Sequence, residues 1–435
     1  MKMFSLNNIK TAIKNLDFFE LGNSFVFYFI LMFGIMPLAA FFRLPSKYVE
    51  YFINQDISIF NAKIFTFLLI GILFFILGYK FFNFQRTTEK ISQIFKKEWS
   101  FKRTLRVFLI VFFFGFIIKS IKIFSDGYSH IERSQNFVNS PFYSLIGLLD
   151  WLGPTALAIA FIYYFYLFKI GDLRYKIWKF IALSVFIFEF GYGFFSSSRF
   201  SAIIPIMIYL ITRHYVYRRD FRRTIIIIVL ILFVLMPIQN FYRTPQNLFA
   251  GYSVLTNHHY KTTSLSVSQY AFDSSIARIS QSWILSAIFE KNDEFLYGQT
   301  FKEFLTSFGP PRFIWKNKPL SINHYGNEFG RHFGILNSDD FVTSIGPTII
   351  GDWYMNFGLP GIIFGMLFFG AIFRFIYDCL IKNTGGSFSG AIIYSVIWIQ
   401  IIKGTEDFIA PVWAGLVKLL VILIVIHFAL ATKKK

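Results

Sequence analysis

Cysteine is almost missing from this sequence: Cys379 is the single one among 435 residues. A disulfide framework and a thiolate zinc site each need more than one cysteine, so both are excluded. Charge is also scarce, since 15% of the residues are charged, whereas a soluble domain has about 25%. So few charges cannot cover the apolar residues of this chain in water, which argues against a soluble globular protein.

Several nucleotide-binding and catalytic motifs are missing as well. The sequence has no Walker motif, no dinucleotide-binding fingerprint and no nucleophile elbow around a serine. The segment 242–350 has no Asp-x-Asp pair that would chelate the metal of a nucleotide sugar. We therefore expect no cofactor, no ATP-driven step and no nucleotide-sugar donor.

Apolar residues, by contrast, make up 55% of the chain and fall into long runs. A helix needs about 20 apolar residues to cross the hydrocarbon core, and backbone in lipid must satisfy its own hydrogen bonds. The runs are continuous rather than alternating, which excludes a barrel. The sequence thus predicts an all-α polytopic membrane protein with about ten transmembrane helices. They are placed at 24–42, 64–84, 104–124, 143–168, 177–196, 200–216, 224–241, 359–380, 387–403 and 411–431.

The formal net charge of +19 has two interpretations. One is nucleic-acid binding, and the other is the accumulation of Lys and Arg in the cytoplasmic loops of membrane proteins. The basic residues favour alternate loops across the predicted helices, and Lys119 and Lys122 are the main exception. The alternation predicts that both termini are cytoplasmic and that nucleic acid is not a partner. More than twenty mixed residues precede the first apolar run, and that run is too long for the hydrophobic region of a signal peptide, so we expect an uncleaved first helix.

This topology puts one long segment outside and divides the chain into three parts. They are an N-terminal membrane bundle at 1–241, an outer loop domain at 242–350 and a C-terminal membrane bundle at 351–435. The outer loop is rich in aromatic residues and has no charge runs, which favours an ordered cap over a disordered linker. Amphipathic patterns predict short helices from Ser274 to Phe289 and from Thr300 to Phe308.

The outer loop also collects cations and other titratable side chains. Arginine binds two phosphate oxygens at once through its planar fork, so outward-facing arginines near a membrane suit a lipid-linked phosphate. The alternative is a set of solvated loop charges. The residues are Arg243, Lys261, Arg278, Arg312, Lys316, Lys318, His324, Glu328, Arg331 and His332.

The run from Gly309 to Pro319 contains three prolines around Arg312, Trp315 and Lys318. Prolines restrict the backbone and would hold these side chains in a fixed arrangement. An aromatic face beside cations suits sugar rings and phosphates. The alternative is a rigid structural turn.

His324, Glu328 and His332 are spaced four residues apart and would share one face of a helix. Gly326, Gly330 and Gly334 interrupt this segment, so we do not expect a regular helix. No familiar two-histidine zinc motif fits, and we predict no metal site. One of these three residues would act as a general base, or all three are polar side chains at the surface.

Asp352 stands in a Gly-rich segment where the chain re-enters the membrane, before Pro360 and Gly361. A carboxylate near the bilayer costs free energy unless it is paired with another group, so an unpaired one usually has a functional role. We expect the glycines to break the helix here. Arg199, Glu406 and Asp407 are predicted on the same outer side, where each would either line a cavity or form a structural ion pair.

Together these residues resemble the bacterial oligosaccharide repeat-unit polymerases, the Wzy-type O-antigen and capsule polymerases. Three stretches carry the resemblance, along with the layout of helices and late outer loop. They are Pro311-Arg312 followed by Trp315 and Lys318-Pro319, then Gly351-Asp352-Trp353-Tyr354-Met355-Asn356-Phe357-Gly358, and Ser197-Ser198-Arg199, where the family has Gly-Ser-Arg.

The resemblance implies a multi-pass enzyme of the bacterial inner membrane that transfers a glycan from undecaprenyl diphosphate to a new lipid-linked repeat unit. On this basis Arg199, Arg278, Arg312, Trp315, Lys318 and Arg331 would bind substrate, and Glu328, His324 or Asp352 would act as the base. Membrane lipid, a chain-length regulator and a flippase are the implied partners. The alternatives are a glycan ligase, which shares the donor, and a transporter or flippase of lipid-linked glycans.

Overall fold

The structure is a computed structural model that describes residues 17–41, 62–82, 84–96, 99, 101–126, 143–195, 199–217, 221–235, 238, 279–291, 294–302, 315, 322–336, 338 and 344–430. These residues are almost all helical, and they include no β-strand. The helices are α1 (Leu21–Phe41), α2 (Ala62–Phe81), α3 (Gln85–Phe95), α4 (Phe101–Asp126), α5 (Tyr143–Leu149), α6 (Leu152–Lys169), α7 (Tyr175–Phe195), α8 (Arg199–Tyr217), α9 (Phe221–Leu230, continued by a π-helical turn Ile231–Leu235), α10 (Ser282–Lys291), α11 (Ile322–His332), α12 (Thr348–Tyr377, continued by a π-helical turn Asp378–Lys382), α13 (Phe388–Gly404) and α14 (Ile409–Leu430).

The predicted class, an all-α polytopic membrane protein, is confirmed. The described part of the chain has seven helices long and apolar enough to cross a membrane, and two shorter apolar helices, Leu21–Ile35 and Phe388–Gly404. Each coincides with a predicted transmembrane helix. The remaining predicted helix, 224–241, is helical over 221–235, and beyond that only residue 238 is described. The seven are Ala62–Phe81, Phe101–Ile123, Ile146–Lys169, Tyr175–Phe195, Phe200–Tyr217, Thr348–Lys382 and Ile409–Leu430.

Helices α2 and α12 pack through glycines that bring their backbones together. A Cβ on Gly78 would lie 2.0 Å from the carbonyl oxygen of Leu367, and one on Gly370 would lie 2.1 Å from that of Phe75. Small residues allow this close approach, which is a common way for membrane helices to associate. The ring of Phe373 adds an edge contact to Phe75 at 5.5 Å between centroids. The contact joins the predicted N-terminal and C-terminal bundles.

Helices α4, α6 and α7 share a buried ion pair. The ammonium of Lys119 on α4 bonds both carboxylate oxygens of Glu189 on α7, and both residues are buried. Gly153 of α6 leaves the space for them, because a Cβ there would overlap both side chains. Lys122 lies 2.6 Å from Asp150. The two lysines that depart from the charge alternation are therefore each paired with a carboxylate.

Two predicted boundaries of the outer segment differ from the structure. The helix predicted from Ser274 begins at Ser282, and Ser280 and Gln281 before it are not helical. The reason is tertiary, since the Gln281 amide bonds the carbonyl of Met32 on α1, at 2.8 Å, instead of continuing a helix. Residues 300–302 of the second predicted helix are helical, and 303–308 lie outside the described residues.

The expectation that glycines prevent a helix at His324 to His332 is wrong, because α11 spans Ile322–His332. Its glycines serve packing instead: a Cβ on Gly326 would lie 2.1 Å from the Ser344 hydroxyl. The helix ends where Gly334 adopts φ +67° and the amides of Ile335 and Leu336 bond the Gly330 carbonyl. This is a glycine-based helix termination.

The membrane re-entry segment is also more helical than expected. Helix α12 begins at Thr348, eleven residues before the predicted start at 359, and Gly358 interrupts it with φ 63° and ψ −147°. The predicted glycine break is therefore confirmed at Gly358, and a short helix precedes it. The indole of Trp353 in that short helix folds back over Gly365, where a Cβ would lie 2.2 Å from the ring.

Candidate functional site

Asp352 is fully buried at a junction of three chain segments. Its Oδ1 accepts hydrogen bonds from the Thr300 hydroxyl at 2.8 Å and the Asn356 amide at 3.0 Å. Its Oδ2 accepts from the backbone amide of Ile409 at 2.8 Å. Since Ile409 is the first residue of α14, the carboxylate also lies at the positive end of that helix. Asp352 is thus positioned to hold the segment that contains Thr300, α12 and α14 together.

Asn356 completes this junction, which we call the Asp352 junction (Thr300, Asp352, Asn356 and Ile409). Its Oδ1 accepts from the amide of Gly298 at 3.0 Å, and its Nδ2 donates to the Thr300 hydroxyl at 2.6 Å. The backbone of 296–297 bonds the carbonyls of residues 355 and 356. Residues 294–302 are therefore fastened to the short helix that begins α12.

The turn between α13 and α14 lies beside this junction. The amide of Ile349 bonds the carbonyl of Thr405 at 3.0 Å, and Gly346 lies so close that a Cβ would be 2.5 Å from the Glu406 carbonyl oxygen. Helix α11 reaches the same turn, since the rings of Phe329 and Phe408 meet edge to face at 5.6 Å. Helix α11 and residues 346–349 therefore converge on residues 405–408.

A groove with a volume of about 160 Å³ lies between α1, α8, α9 and α13. Its walls are apolar side chains such as Ile203, Met207 and Ile231. Within the described lining, Lys403 is the basic side chain and Glu406 the acidic one, and they lie at the end of α13 and in the turn that follows it. The groove is thus amphipathic, with a long apolar part and a polar end that we call the groove mouth (Tyr28, Lys403 and Glu406).

The groove mouth is held by contacts to neighbouring helices. The Tyr28 hydroxyl on α1 donates to Glu406 Oε1, and the Lys403 ammonium lies 5.0 Å from the centroid of the Phe200 ring on α8. Burial and the adjacent Asp407 carboxylate raise the pKa of Glu406 to about 8. The raised pKa favours the neutral acid, which does not repel an anion.

The predicted site residues fall into several groups. Asp352 is buried at its junction, whereas Glu328 on α11 is exposed and Arg331 is half-buried with its guanidinium on Asn327. Trp315 is 38% exposed. Arg199 begins α8, next to Phe200 in the groove lining, and His324 lies in α11, one turn before Glu328. The side chains of Arg199 and His324, and all of Arg278, Arg312 and Lys318, lie outside the described residues.

Sequence reasoning missed Tyr28 and Lys403 as site residues. The signal that was available is the spacing of Lys403 and Glu406, since residues three apart at the end of an apolar helix lie on one face. Among the described residues no group of three or more His, Cys, Asp and Glu side chains could hold a metal ion.

The fold and these sites define a polytopic α-helical membrane protein with a polar site at one end of its bundle. Residues 334–412 match a family model for O-antigen polymerases. Over this segment the match confirms the resemblance to the Wzy-type polymerases. The matched residues include the Asp352 junction apart from Thr300, together with Lys403 and Glu406. Comparison with curated proteins gives no match, and neither does comparison with solved structures.

Proposed function

We propose that the protein polymerises lipid-linked oligosaccharide repeat units into a surface polysaccharide, such as an O-antigen, capsule or exopolysaccharide. The observation that carries the proposal is the family match over 334–412, which contains Lys403 and Glu406 at the end of an apolar groove. Its substrate is a glycan on undecaprenyl diphosphate, and its reaction is glycosyl transfer at the outer face of the inner membrane.

In this reaction a hydroxyl of the new repeat unit attacks the anomeric carbon of the growing glycan. The bond from that carbon to the diphosphate oxygen breaks, and undecaprenyl diphosphate leaves with the electron pair. Cations stabilise the departing charge, and we assign this role to Arg199, Arg278, Arg312 and Lys318. Trp315 and Arg331 contact the sugars.

A base takes the proton of the attacking hydroxyl. The exposed Glu328 and its neighbour on α11, His324, are the stronger candidates. Asp352 is a weaker one, because the junction surrounds it with three hydrogen-bond donors and buries it completely. A chain-length regulator and a flippase remain proposed partners.

The reaction is tested by Arg278→Ala, Arg278→Lys, Arg312→Ala and Arg312→Lys in cells that lack the native gene. The Lys variants keep the charge but lose the bidentate fork. A charge-assisted bond contributes about 1.5–3 kcal/mol, so each Ala variant should slow polymer formation roughly tenfold to a hundredfold. Polymer length on a gel is the readout, at equal protein level. Full-length polymer from both Ala variants would contradict the assignment.

The same cells separate the alternatives. Loss of a polymerase leaves single repeat units transferred to the final acceptor, whereas loss of a ligase leaves long glycan on the lipid carrier. Loss of a flippase leaves the repeat unit on the cytoplasmic side of the membrane.

The proposed orientation is tested by Ser338→Cys and Lys176→Cys in a Cys379→Ala background. An impermeant thiol reagent should label the cysteine at 338 in intact spheroplasts and the cysteine at 176 after permeabilisation; the reverse pattern would overturn the topology.

A further inference from the structure

The groove is amphipathic along the direction of the membrane helices. The part of its lining on α13 extends from Trp398 to Lys403, a distance of about 7.5 Å at 1.5 Å per residue, and Glu406 follows in the α13–α14 turn. The groove mouth occupies one end. At the other end the Trp398 indole donates to the Ser24 hydroxyl at 3.0 Å, and that hydroxyl donates to the Phe18 carbonyl at 2.7 Å. The Trp398 end therefore offers no unsatisfied polar group from these residues.

The mouth suits an anion. Lys403 supplies positive charge, and α8 begins at Arg199, so the amide end of that helix lies beside the Phe200 wall. A helix N-terminus adds to the attraction of phosphate groups that such a cation provides. Glu406 does not oppose binding near neutral pH, because its raised pKa favours the neutral acid.

The volume of the groove favours a single lipid chain. A cavity of about 160 Å³ accommodates part of one branched chain, whereas a phospholipid brings two chains to the same headgroup. Burial of a branched hydrocarbon against the apolar walls is stabilising by about 25 cal/mol per Å² of apolar surface removed from water.

We propose that this groove binds the isoprenoid units nearest the headgroup of a polyprenyl diphosphate, with the diphosphate at the groove mouth beside Lys403. The inference rests on the proposed function and deepens it, since it assigns the lipid of the substrate to a specific place in the bundle. Lys403 is then a binding residue for the phosphate groups, and Met207 and Ile203 contact the chain.

The test measures lipid binding to the purified full-length protein in detergent by native mass spectrometry. The probes are undecaprenyl diphosphate, undecaprenol, inorganic pyrophosphate and phosphatidylglycerol. Met207→Trp fills the groove, and Ile206→Trp is the matched control, because Ile206 is a half-buried neighbour on α8 outside the lining. Lys403→Gln removes the charge while keeping a hydrogen-bonding side chain of similar length.

The wild type should bind undecaprenyl diphosphate at least about tenfold more tightly than undecaprenol, a difference of about 1.4 kcal/mol. Met207→Trp should weaken binding of both lipids about tenfold, while Ile206→Trp leaves both unchanged. Lys403→Gln should reduce only the preference for the diphosphate. Lys403→Gln also keeps the test decisive if Met207→Trp does not fold.

Equal binding by Met207→Trp and wild type would overturn the groove assignment, as would displacement of the ligand by an equal amount of phosphatidylglycerol. Binding of pyrophosphate alone with the same affinity would show that the chain adds nothing. These outcomes are separate from failure of the proposed function, which would appear as repeat units polymerised normally in cells lacking the gene.

Discussion

The hydroxyl of Ser282, at the first residue of α10, donates a hydrogen bond to the backbone carbonyl of Phe33 in α1, at 3.1 Å. Pro37 lies four residues after Phe33 and has no amide hydrogen to bond that carbonyl within the helix. The neighbouring carbonyl of Met32 is bonded by the Gln281 amide. Residues 281 and 282 thus dock on α1 at and beside the carbonyl that the proline leaves without an intrahelical partner.

Ser282→Ala should therefore loosen this docking. The buried Phe33 carbonyl loses its partner, and an unsatisfied buried acceptor costs about 1–3 kcal/mol. Thermal unfolding of the purified protein and proteolysis near α10 measure the effect. Ser286→Ala is the matched control, since the Ser286 hydroxyl bonds a carbonyl within its own helix at 3.0 Å. Equal stability of the two variants would contradict a docking role for Ser282.

The α2–α12 contact predicts strong sensitivity at Gly78. Gly78→Ala should destabilise the protein by about 1–3 kcal/mol, because the new methyl group meets the Leu367 carbonyl at 2.0 Å. Gly191→Ala on α7 is the control, since no atom lies within 4 Å of the new Cβ, and alanine is a better helix former than glycine. Melting temperatures in detergent should fall for the first variant only.

The Lys119–Glu189 pair predicts a marked difference between single and double substitutions. Lys119→Met and Glu189→Leu should each destabilise by about 3–5 kcal/mol, because each leaves a buried charge without its partner. The double variant should recover much of that loss, since an apolar pair replaces the ions. Yield and melting temperature of the three variants form a double-mutant cycle. Additive losses would show that the pair is not coupled.

Asp352 allows a structural role to be separated from a role as base. Asp352→Asn keeps one acceptor oxygen and adds an amide donor, whose hydrogen bond the Thr300 hydroxyl can accept. We therefore expect the variant still to make polymer, although its melting temperature is lower. Asp352→Ala leaves the Ile409 amide without its acceptor and should cost about 1–3 kcal/mol. Thr300→Val is a companion that removes one donor to the carboxylate. Normal stability of Asp352→Asn with complete loss of polymer would instead favour a base.

The raised pKa of Glu406 predicts that the free energy of unfolding depends on pH. Its folded pKa of about 8 lies above the ordinary value of 4.5, so the folded state holds more protons than the unfolded state between these values. Stability then falls as pH rises through this range. Glu406→Gln should abolish this part of the decline, as measured by melting temperature at a series of pH values. The same slope in wild type and variant would exclude Glu406 as its source.

The transmembrane helices could be predicted because their signal is local: an apolar run has to reach across the membrane wherever it lies in the sequence. The starts of α10 and α12 could not, because Gln281 bonds α1 and the segment around Gly346 packs on the α13–α14 turn. The glycines of α11 predicted no regular helix, and this was wrong because tertiary packing again decides the local structure. Their helix-breaking tendency is outweighed by close packing at Ser344 and Leu336.

The site shows the same limit. Asp352 stands out in the sequence as a carboxylate at the membrane, but its three donors come from residues 52 and 57 positions away and from the next turn of its own helix. The groove has still less local signal, since four separate helices line it. The charge pattern predicts Glu406 on the same side of the membrane as Asp407 and Arg199, and only the fold brings Tyr28 to it.

The backbone contacts of Gly78 and Gly370 leave no clearance for α2 to slide or rotate against α12. We therefore expect these two helices, with residues 294–302 fastened to the start of α12, to move together as one body. A displacement that admits or releases a bulky amphipathic molecule is then expected at α8 and α9, which border the groove. A cross-link between α2 and α12 should leave turnover intact, and one between α8 and α13 should arrest it.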